Sequence, residues 1–230
     1  MGRKPYLYPH LNFWKNREEV TRLLEIHTKT SGTGRGHKHN VEVLNKSAIV
    51  LLVACWEAFV EDLAEDAFSI LLRRAAKHDV FPQKVLSEAA DPLKESRDSR
   101  QVWQLAGDGW REVLRKHKES LFARYIGKLN TPKPEQVDAL YESLLGIKAI
   151  SGTWHWSHMS SQASITKLNE LVELRGSIAH RVSASRTVLR SDVLNYSDFV
   201  NRVAMQTSNA ARSFLLKTTK KEPWPEFSYE

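Results

Sequence analysis

The apolar positions of the chain recur at helical spacing, and no segment has the strict alternation of a strand. A first amphipathic segment covers about Asn12–Lys29 and is followed by the glycine-rich stretch Ser31–Asn40. A second segment, about Val41–Lys77, is the longest. Within it Ala48–Val60 is apolar on every side of a helix, which is typical of the central helix of a bundle or of a dimer interface.

The remainder of the chain continues this pattern. Phe81–Asp108 is polar and irregular and could contain short helices, whereas Gly152–Ser161 reads as a connection. The other predicted helices are one that begins near Trp110, one that Pro134 begins and Gly146 ends, and two over about Ser164–Val182 and Ser191–Lys217. About five to seven helices and no sheet predict an all-α bundle.

The same pattern divides the chain into three parts. Residues 1–39 are predicted to form an N-terminal helix and glycine-rich loop, residues 40–217 the helical domain, and residues 218–230 a C-terminal tail. The single cysteine, Cys55, can form neither an internal disulfide nor a thiolate metal site. Since no apolar leader is visible and the 13 residues Ala48–Val60 fall short of the ~20 that span a bilayer, we expect a cytoplasmic protein without membrane contact.

Charge points to a class of partner. The chain has 34 Lys and Arg against 27 Asp and Glu, a net charge of +7. A basic balance favours a polyanionic partner such as nucleic acid, although it also serves solubility.

The most informative segment is Thr166–Arg181, TKLNELVELRGSIAHR. Arg175 falls on its apolar stripe, so its guanidinium must be paired or must line a cleft. His180 follows five residues later, about 140° around an ideal helix. A long arginine, or a distorted last turn past Gly176, could bring both side chains to one anion. A structural ion pair and a separate surface histidine remain the alternative.

Arg175-Gly-Ser-Ile-Ala-His180 matches the R-x4-H signature of the HEPN superfamily. Three blocks in order resemble the RiboL-PSP-HEPN and related bacterial HEPN-like nucleases. They are AIVLLVACWEAFVEDL (Ala48–Leu63), TPKPEQVDALYESLLGIKAI (Thr131–Ile150) and ELRGSIAHR (Glu173–Arg181). The resemblance covers roughly residues 40–215.

The resemblance implies a HEPN-type helical bundle that forms a two-fold homodimer, in which two R-x4-H motifs meet in one cleft. It also implies a metal-independent endoribonuclease that needs no cofactor and acts as a toxin or phage-defence effector, with RNA as substrate and an antitoxin or defence-system protein as a further partner. The catalytic pair is then Arg175 and His180, and Ser177 and Arg181 are candidate supporting residues. Gly176 departs from the polar residue that follows the arginine in many members, and Ser177 is the nearest substitute.

The chemistry suits this pair. RNA carries its own nucleophile, the 2′-hydroxyl, beside the scissile phosphate. Histidine can accept or supply a proton near neutral pH, and arginine can grip the phosphate and offset developing charge. The expected ends are a 2′,3′-cyclic phosphate and a 5′-hydroxyl, and DNA should survive.

Other polar residues carry weaker hypotheses. Glu57 interrupts the apolar helix and either orients Arg175 or His180, or forms an ordinary salt bridge in the bundle or is simply exposed. His39, Trp154 and His155 are candidate RNA contacts, with burial of Trp154 as an anchor of its connection as the alternative. The spacings of His37–His39 and His155–His158 would allow metal ligation, but no metal site is predicted because nothing else supports one. The competing functional hypotheses are a catalytically silent HEPN module that binds RNA, nucleotide or a partner protein, and a purely structural dimer.

Overall fold

A computed structural model describes residues 8–31, 41–127, 129, 131–181 and 187–228 of the chain. Seven α-helices occupy most of these residues: α1 Tyr8–Ser31, α2 Glu42–Arg74, α3 Gln83–Lys94, α4 Gly109–Tyr125, α5 Pro134–Leu145, α6 Ser161–Arg181 and α7 Arg190–Thr219. Short 3₁₀ helices lie at His78–Val80, Ser99–Leu105 and Ile150–Thr153. The described part of the chain contains no strand, which confirms the predicted all-α bundle.

Helix α2 is the centre of the bundle and contacts α1, α4, α5, α6 and α7. Its largest buried side chains include Trp56 and Phe59. The indole Nε1 of Trp56 donates to the carbonyl of Pro132 at 3.0 Å, and the hydroxyl of Tyr141 donates to the carbonyl of Val60 at 3.1 Å. Because these polar atoms are paired, the rings of Trp56 and Tyr141 are buried without an unsatisfied donor.

Helix α2 is central to the bundle, as one of the two alternatives for Ala48–Val60 predicted, but it is not buried on every side. One side of α2 is exposed in its first half and half-buried in its second, and we call it the open stripe. Val43 is 62% and Leu51 38% exposed on it. The stripe consists of Val43, Leu51, Ala54, Glu57, Ala58, Glu61 and Glu65, so its first half is apolar and its second half acidic.

The length of α2 also corrects the comparison with a bilayer. The 13 apolar residues lie within a helix of 33 residues, and by length and composition alone it is the one described helix that could cross a membrane. Half of its most apolar window is buried inside the bundle. Its apolar composition is therefore accounted for by its place in the core, as in the core helices of soluble domains.

A buried histidine joins α1 to the C-terminal part of the chain, and we call this contact the His10 junction. The Nε2 atom of His10 lies 2.9 Å from the hydroxyl of Ser208 on α7. The ring of His10 lies 4.1 Å from that of Phe227 and 5.4 Å from that of Phe59, centroid to centroid. Burial lowers the pKa of His10 to about 4, so the imidazole is neutral at physiological pH.

The predicted tail is attached to the core through this junction. Trp224 is 2% exposed, and Arg212 donates through Nε to the carbonyl of Trp224 at 2.9 Å. The backbone of Phe227 is bound on both sides by the side-chain amide of Asn209. Residues 220–228 thus lack regular structure but pack against α7 and α1.

Helices α3 and α5 differ in how well the sequence predicted their bounds. Helix α3 lies in the segment Phe81–Asp108 that looked irregular, with Pro92 inside its last turn. Its buried residues Val85, Ala89 and Leu93 recur every four positions. Helix α5 begins at Pro134 and is terminated by Gly146 at φ 79°, as predicted.

Candidate functional site

Arg175 and His180 both lie on α6, which continues through both residues to Arg181. The last turn is helical past Gly176, so the distortion that could have brought the two side chains together does not occur within α6. They therefore remain about 140° apart around the helix. A single α6 presents the arginine and the histidine on different sides.

Arg175 faces α2 at the margin of the open stripe. Its terminal nitrogen Nη2 lies 3.9 Å from Oε2 of Glu57, and the two side chains are 28% and 22% exposed. The Nε atom of Arg175 is buried and donates to no group in the described part of the chain. Because 3.9 Å is longer than a hydrogen bond, Glu57 attracts the guanidinium without saturating its donors.

The sequence left the role of Glu57 open between orienting a catalytic residue and an ordinary structural position. In the structure its carboxylate faces Arg175. Burial raises the pKa of Glu57, and the positive charge of Arg175 lowers it in part. The carboxylate and the guanidinium thus stabilise each other at the edge of the core. This geometry fits both the orienting role and the plain ion pair that the sequence left open.

His180 is exposed on a different side of α6, about 140° around the helix from Arg175. The same exposed side carries Glu173, whose carboxylate pairs with the ammonium of Lys133 at 3.0 Å, just before α5. The imidazole of His180 is therefore open to a ligand approaching from solvent.

Ser177 and Arg181 were candidate supporting residues, and Gly176 was a departure from the family pattern. The hydroxyl of Ser177 donates to the carbonyl of Leu174 at 2.8 Å, so it is engaged by its own helix. A Cβ at Gly176 would meet nothing within 4 Å, so a polar side chain at this position would extend into open space. The backbone of Arg181 lies in α6, and its side chain is outside the described residues.

Sequence reasoning missed a ladder of carboxylates beside Arg175. Glu57, Glu61 and Glu65 follow one another at every fourth position along the open stripe. Burial, and then the charges of Glu57, Asp62 and Glu65, raise the pKa of Glu61 to about 7. Burial and neighbouring carboxylates likewise raise the pKa of Asp66 to about 6. The spacing was visible in the sequence, but the loss of solvent that makes it unusual was not.

The candidate RNA contacts are placed differently from one another. Trp154 is fully buried, and its Nε1 donates to the hydroxyl of Thr207 at 2.9 Å. It anchors its connection, as the alternative proposed, and is not accessible for stacking on a base. His155 is exposed, and His39 lies outside the described residues. Within the described ranges, no three His, Cys, Asp or Glu side chains are grouped so as to hold a metal ion.

Comparison with known families decides the identity of this domain. A family model described as RiboL-PSP-HEPN matches residues 14–211. The chain belongs to the RiboL-PSP-HEPN family. The match runs from within α1 to within α7, so this HEPN-type domain includes all seven helices, and membership supports a nuclease or RNA-related role. No curated protein and no solved structure matches the chain significantly.

Proposed function

We propose that this RiboL-PSP-HEPN protein is a metal-independent endoribonuclease in which Arg175 and His180 are the catalytic residues. The observation that carries the proposal is that the guanidinium of Arg175 has hydrogen-bond donors left without a partner. A guanidinium is kept at the edge of the core with a buried Nε that has no partner among the described residues and only a distant carboxylate at Nη2. Unpaired donors at such a place are expected to bind an anion, and the phosphate of RNA supplies one.

The reaction follows from the two side chains. A neutral His180 takes the proton of the 2′-hydroxyl, the 2′-oxygen attacks the adjacent phosphorus, and the bond to the 5′-oxygen breaks. The leaving oxygen takes a proton from a second, protonated imidazole. Arg175 stabilises the charge on the phosphorane oxygens. The products carry a 2′,3′-cyclic phosphate and a 5′-hydroxyl.

A homodimer would supply the second imidazole. Arg175 and His180 point to different sides of one α6, so a single protomer presents them poorly to one phosphate. A two-fold axis at the open stripe would bring a second motif close to the first. Burial of the exposed apolar residues Val43 and Leu51 would favour association of two copies through this surface.

The cellular role belongs to the same proposal. A nonspecific or loosely specific RNase is harmful to its own cell, so we propose a cytoplasmic toxin or phage-defence effector held in check by an antitoxin or defence-system protein. The net charge of +7 suits an RNA substrate.

The deciding experiment is incubation of the purified protein with total RNA, with and without EDTA, followed by mapping of the new ends. We expect cleavage that EDTA leaves intact, cyclic phosphate at the 3′ ends, and no cleavage of DNA of the same sequence. Light scattering should give twice the protomer mass of 26.4 kDa. Cleavage by a stable monomer would contradict the shared cleft, and 3′-hydroxyl ends would contradict the mechanism.

A silent HEPN module is the second candidate, and one observation favours it. Gly176 provides no polar side chain, and Ser177 is bound to its own helix, so neither assists the pair. A protein that binds RNA with salt-dependent affinity but leaves it uncut would establish this alternative.

A further inference from the structure

A cleft between α3, α4 and α5 has no part in the chemistry described above. Its volume is about 270 Å³, slightly below the ~300 Å³ at which pockets for drug-sized ligands begin. Its walls carry three kinds of group: the cations Lys84 and Arg124, the ring of Tyr125 with the apolar Leu140, and the neutral polar side chains of Gln136 and Ser143. An occupant should therefore be small, partly flat and negatively charged.

The aromatic wall is fixed in place. The hydroxyl of Tyr125 donates to Oε2 of Glu88 at 2.9 Å. Burial and this bond raise the pKa of Tyr125 to about 12, so the ring remains neutral. The ammonium of Lys84 lies 5.9 Å from the centre of that ring. A flat apolar group entering the cleft would meet a ring that is already oriented.

The two cations differ in what they offer. Arg124 lies 3.3 Å from Oε1 of Glu88, which offsets its charge. Lys84 is exposed and, in the described part of the chain, forms no ion pair with a carboxylate. Its flexible stem can carry the ammonium from the ring of Tyr125 to a phosphate at the mouth of the cleft.

The cleft is connected to the candidate catalytic residues along one surface. Gln136 lies one helical turn after Lys133, about 5 Å along α5. Lys133 pairs with Glu173, which is two turns, about 10 Å, before His180 on the same exposed side of α6. A single strand that occupied both sites would cross the surface around this ion pair.

We propose that the cleft binds one base, with its phosphate, of a single-stranded RNA at a position away from the scissile bond. The base stacks on Tyr125 and packs on Leu140, its edge meets Gln136 and Ser143, and Lys84 binds the phosphate. This inference rests on the proposed endoribonuclease function and names the form of its substrate. A duplex cannot offer an unstacked base, so single strands are preferred.

Two variants test the cleft. Ala139→Phe fills it, since Ala139 is an exposed lining residue, and Lys84→Ala removes its unpaired cation. Lys94→Ala is the matched control, because Lys94 lies at the other end of α3 and pairs with Asp91. The probes are a fluorescent 2′-O-methyl RNA 12-mer, which cannot be cleaved, adenosine and uridine 5′-monophosphates, and a long cleavable RNA.

We expect Ala139→Phe and Lys84→Ala each to weaken binding of the 12-mer about tenfold and to raise KM for the long RNA equally, with kcat unchanged. Lys94→Ala should leave both values as in the wild type. Thermal midpoints verify folding, and Lys84→Ala decides alone if the filled variant unfolds. Unchanged affinity for the 12-mer in both variants overturns the inference. It is also overturned if only these variants lose binding of the monophosphates while their affinity for the 12-mer and their KM equal those of the wild type.

The outcome separates this inference from the proposed function. If the wild type cuts no RNA but binds the 12-mer through the cleft, the nuclease proposal fails and the cleft stands. If RNA is cut and the cleft variants behave as Lys94→Ala does, the cleft alone is refuted.

Discussion

The two sides of α2 differ in the side chains they carry and in how far these are buried. On the closed side Trp56 and Phe59 are buried, and Phe59 also contacts the His10 junction. On the open stripe a row of carboxylates approaches Arg175. The first arrangement lowers the pKa of a buried base and the second raises the pKa of half-buried acids. Stability should therefore be concentrated on the closed side and chemistry beside the open one, so that the two can be altered separately.

The largest effect is expected from the candidate catalytic pair. His180→Ala and Arg175→Ala should each reduce the rate of RNA cleavage by ~10²-fold or more, because each removes a group needed in the transition state. The thermal midpoint of the His180 variant should be unchanged, since the side chain is exposed. His78→Ala, another exposed histidine, is the control. Wild-type rates for His180→Ala at an unchanged midpoint would refute the catalytic assignment.

A change at the His10 junction should lower stability and leave the rate of RNA cleavage unaffected. Trp224→Ala empties a site that is 2% exposed beside His10 and should lower the free energy of unfolding by about 3–5 kcal/mol. Trp103→Ala makes the same chemical change at 74% exposure and should alter it by less than about 0.5 kcal/mol. Denaturant titration measures both. Cleavage well below the midpoint should be equal in the two variants, and a selective loss in Trp224→Ala would show that the two sides are coupled.

The titration of His10 should weaken the protein in acid. Its pKa is 6.5 in the unfolded chain and about 4 in the fold, so its contribution to stability is complete above pH 6.5 and is lost as the pH falls toward 4. The loss attributable to this group is on the order of 3 kcal/mol. His10→Gln should remove that part of the pH dependence, whereas His78→Gln should not. Free energies of unfolding from pH 8 to 4 provide the test, and parallel curves for His10→Gln and the wild type would refute it.

Glu61 should act with the opposite sign. Its pKa rises from 4.5 to about 7 on folding, so its contribution is complete below pH 4.5 and is lost as the pH rises through 7. Solvent screening limits the effect to about 1 kcal/mol. Glu61→Gln should therefore stabilise the protein at pH 8 and leave it unchanged at pH 4, while exposed Glu18→Gln is neutral throughout. A gain of the same size at both pH values would mean that ionisation is not its cause.

The smallest effect concerns Gly176. A Cβ there meets nothing, so Gly176→Ala should raise the free energy of unfolding by about 0.5–1 kcal/mol by restricting the unfolded chain. Gly109→Ala is the contrast, because its Cβ would lie 1.9 Å from the carbonyl oxygen of Gln104. It should destabilise α4. Thermal unfolding of both variants checks the pair, and equal midpoints would contradict the open space at Gly176.

Local signals in the sequence were sufficient for most helices. Pro134 and Gly146 delimit α5, and the apolar period predicts α6 and α7. The bounds of α3 were not predicted within Phe81–Asp108, because its three buried residues are spread thinly among polar ones and Pro92 lies inside the helix.

The setting of Arg175 was predicted from its position on an apolar stripe, but its contact with Glu57 depends on how α6 crosses α2. Apolar composition likewise cannot say which side of α2 is left uncovered. The His10 junction was beyond local reasoning, because the sequence around His10 contains no sign of Ser208 or Phe227. The same holds for the pKa of Glu61, which depends on desolvation that only the packed helices produce.

The His10 junction also has a consequence for the order of events during synthesis. Residues of α1 leave the ribosome nearly 200 positions before Ser208, and earlier still relative to Phe227. At roughly 5–20 residues per second, about 10–40 s pass between the synthesis of α1 and that of the residues that complete the His10 junction. A nascent chain therefore carries an incompletely packed first helix for most of its translation. The His10 junction is therefore complete only after the polypeptide has been made nearly to Phe227.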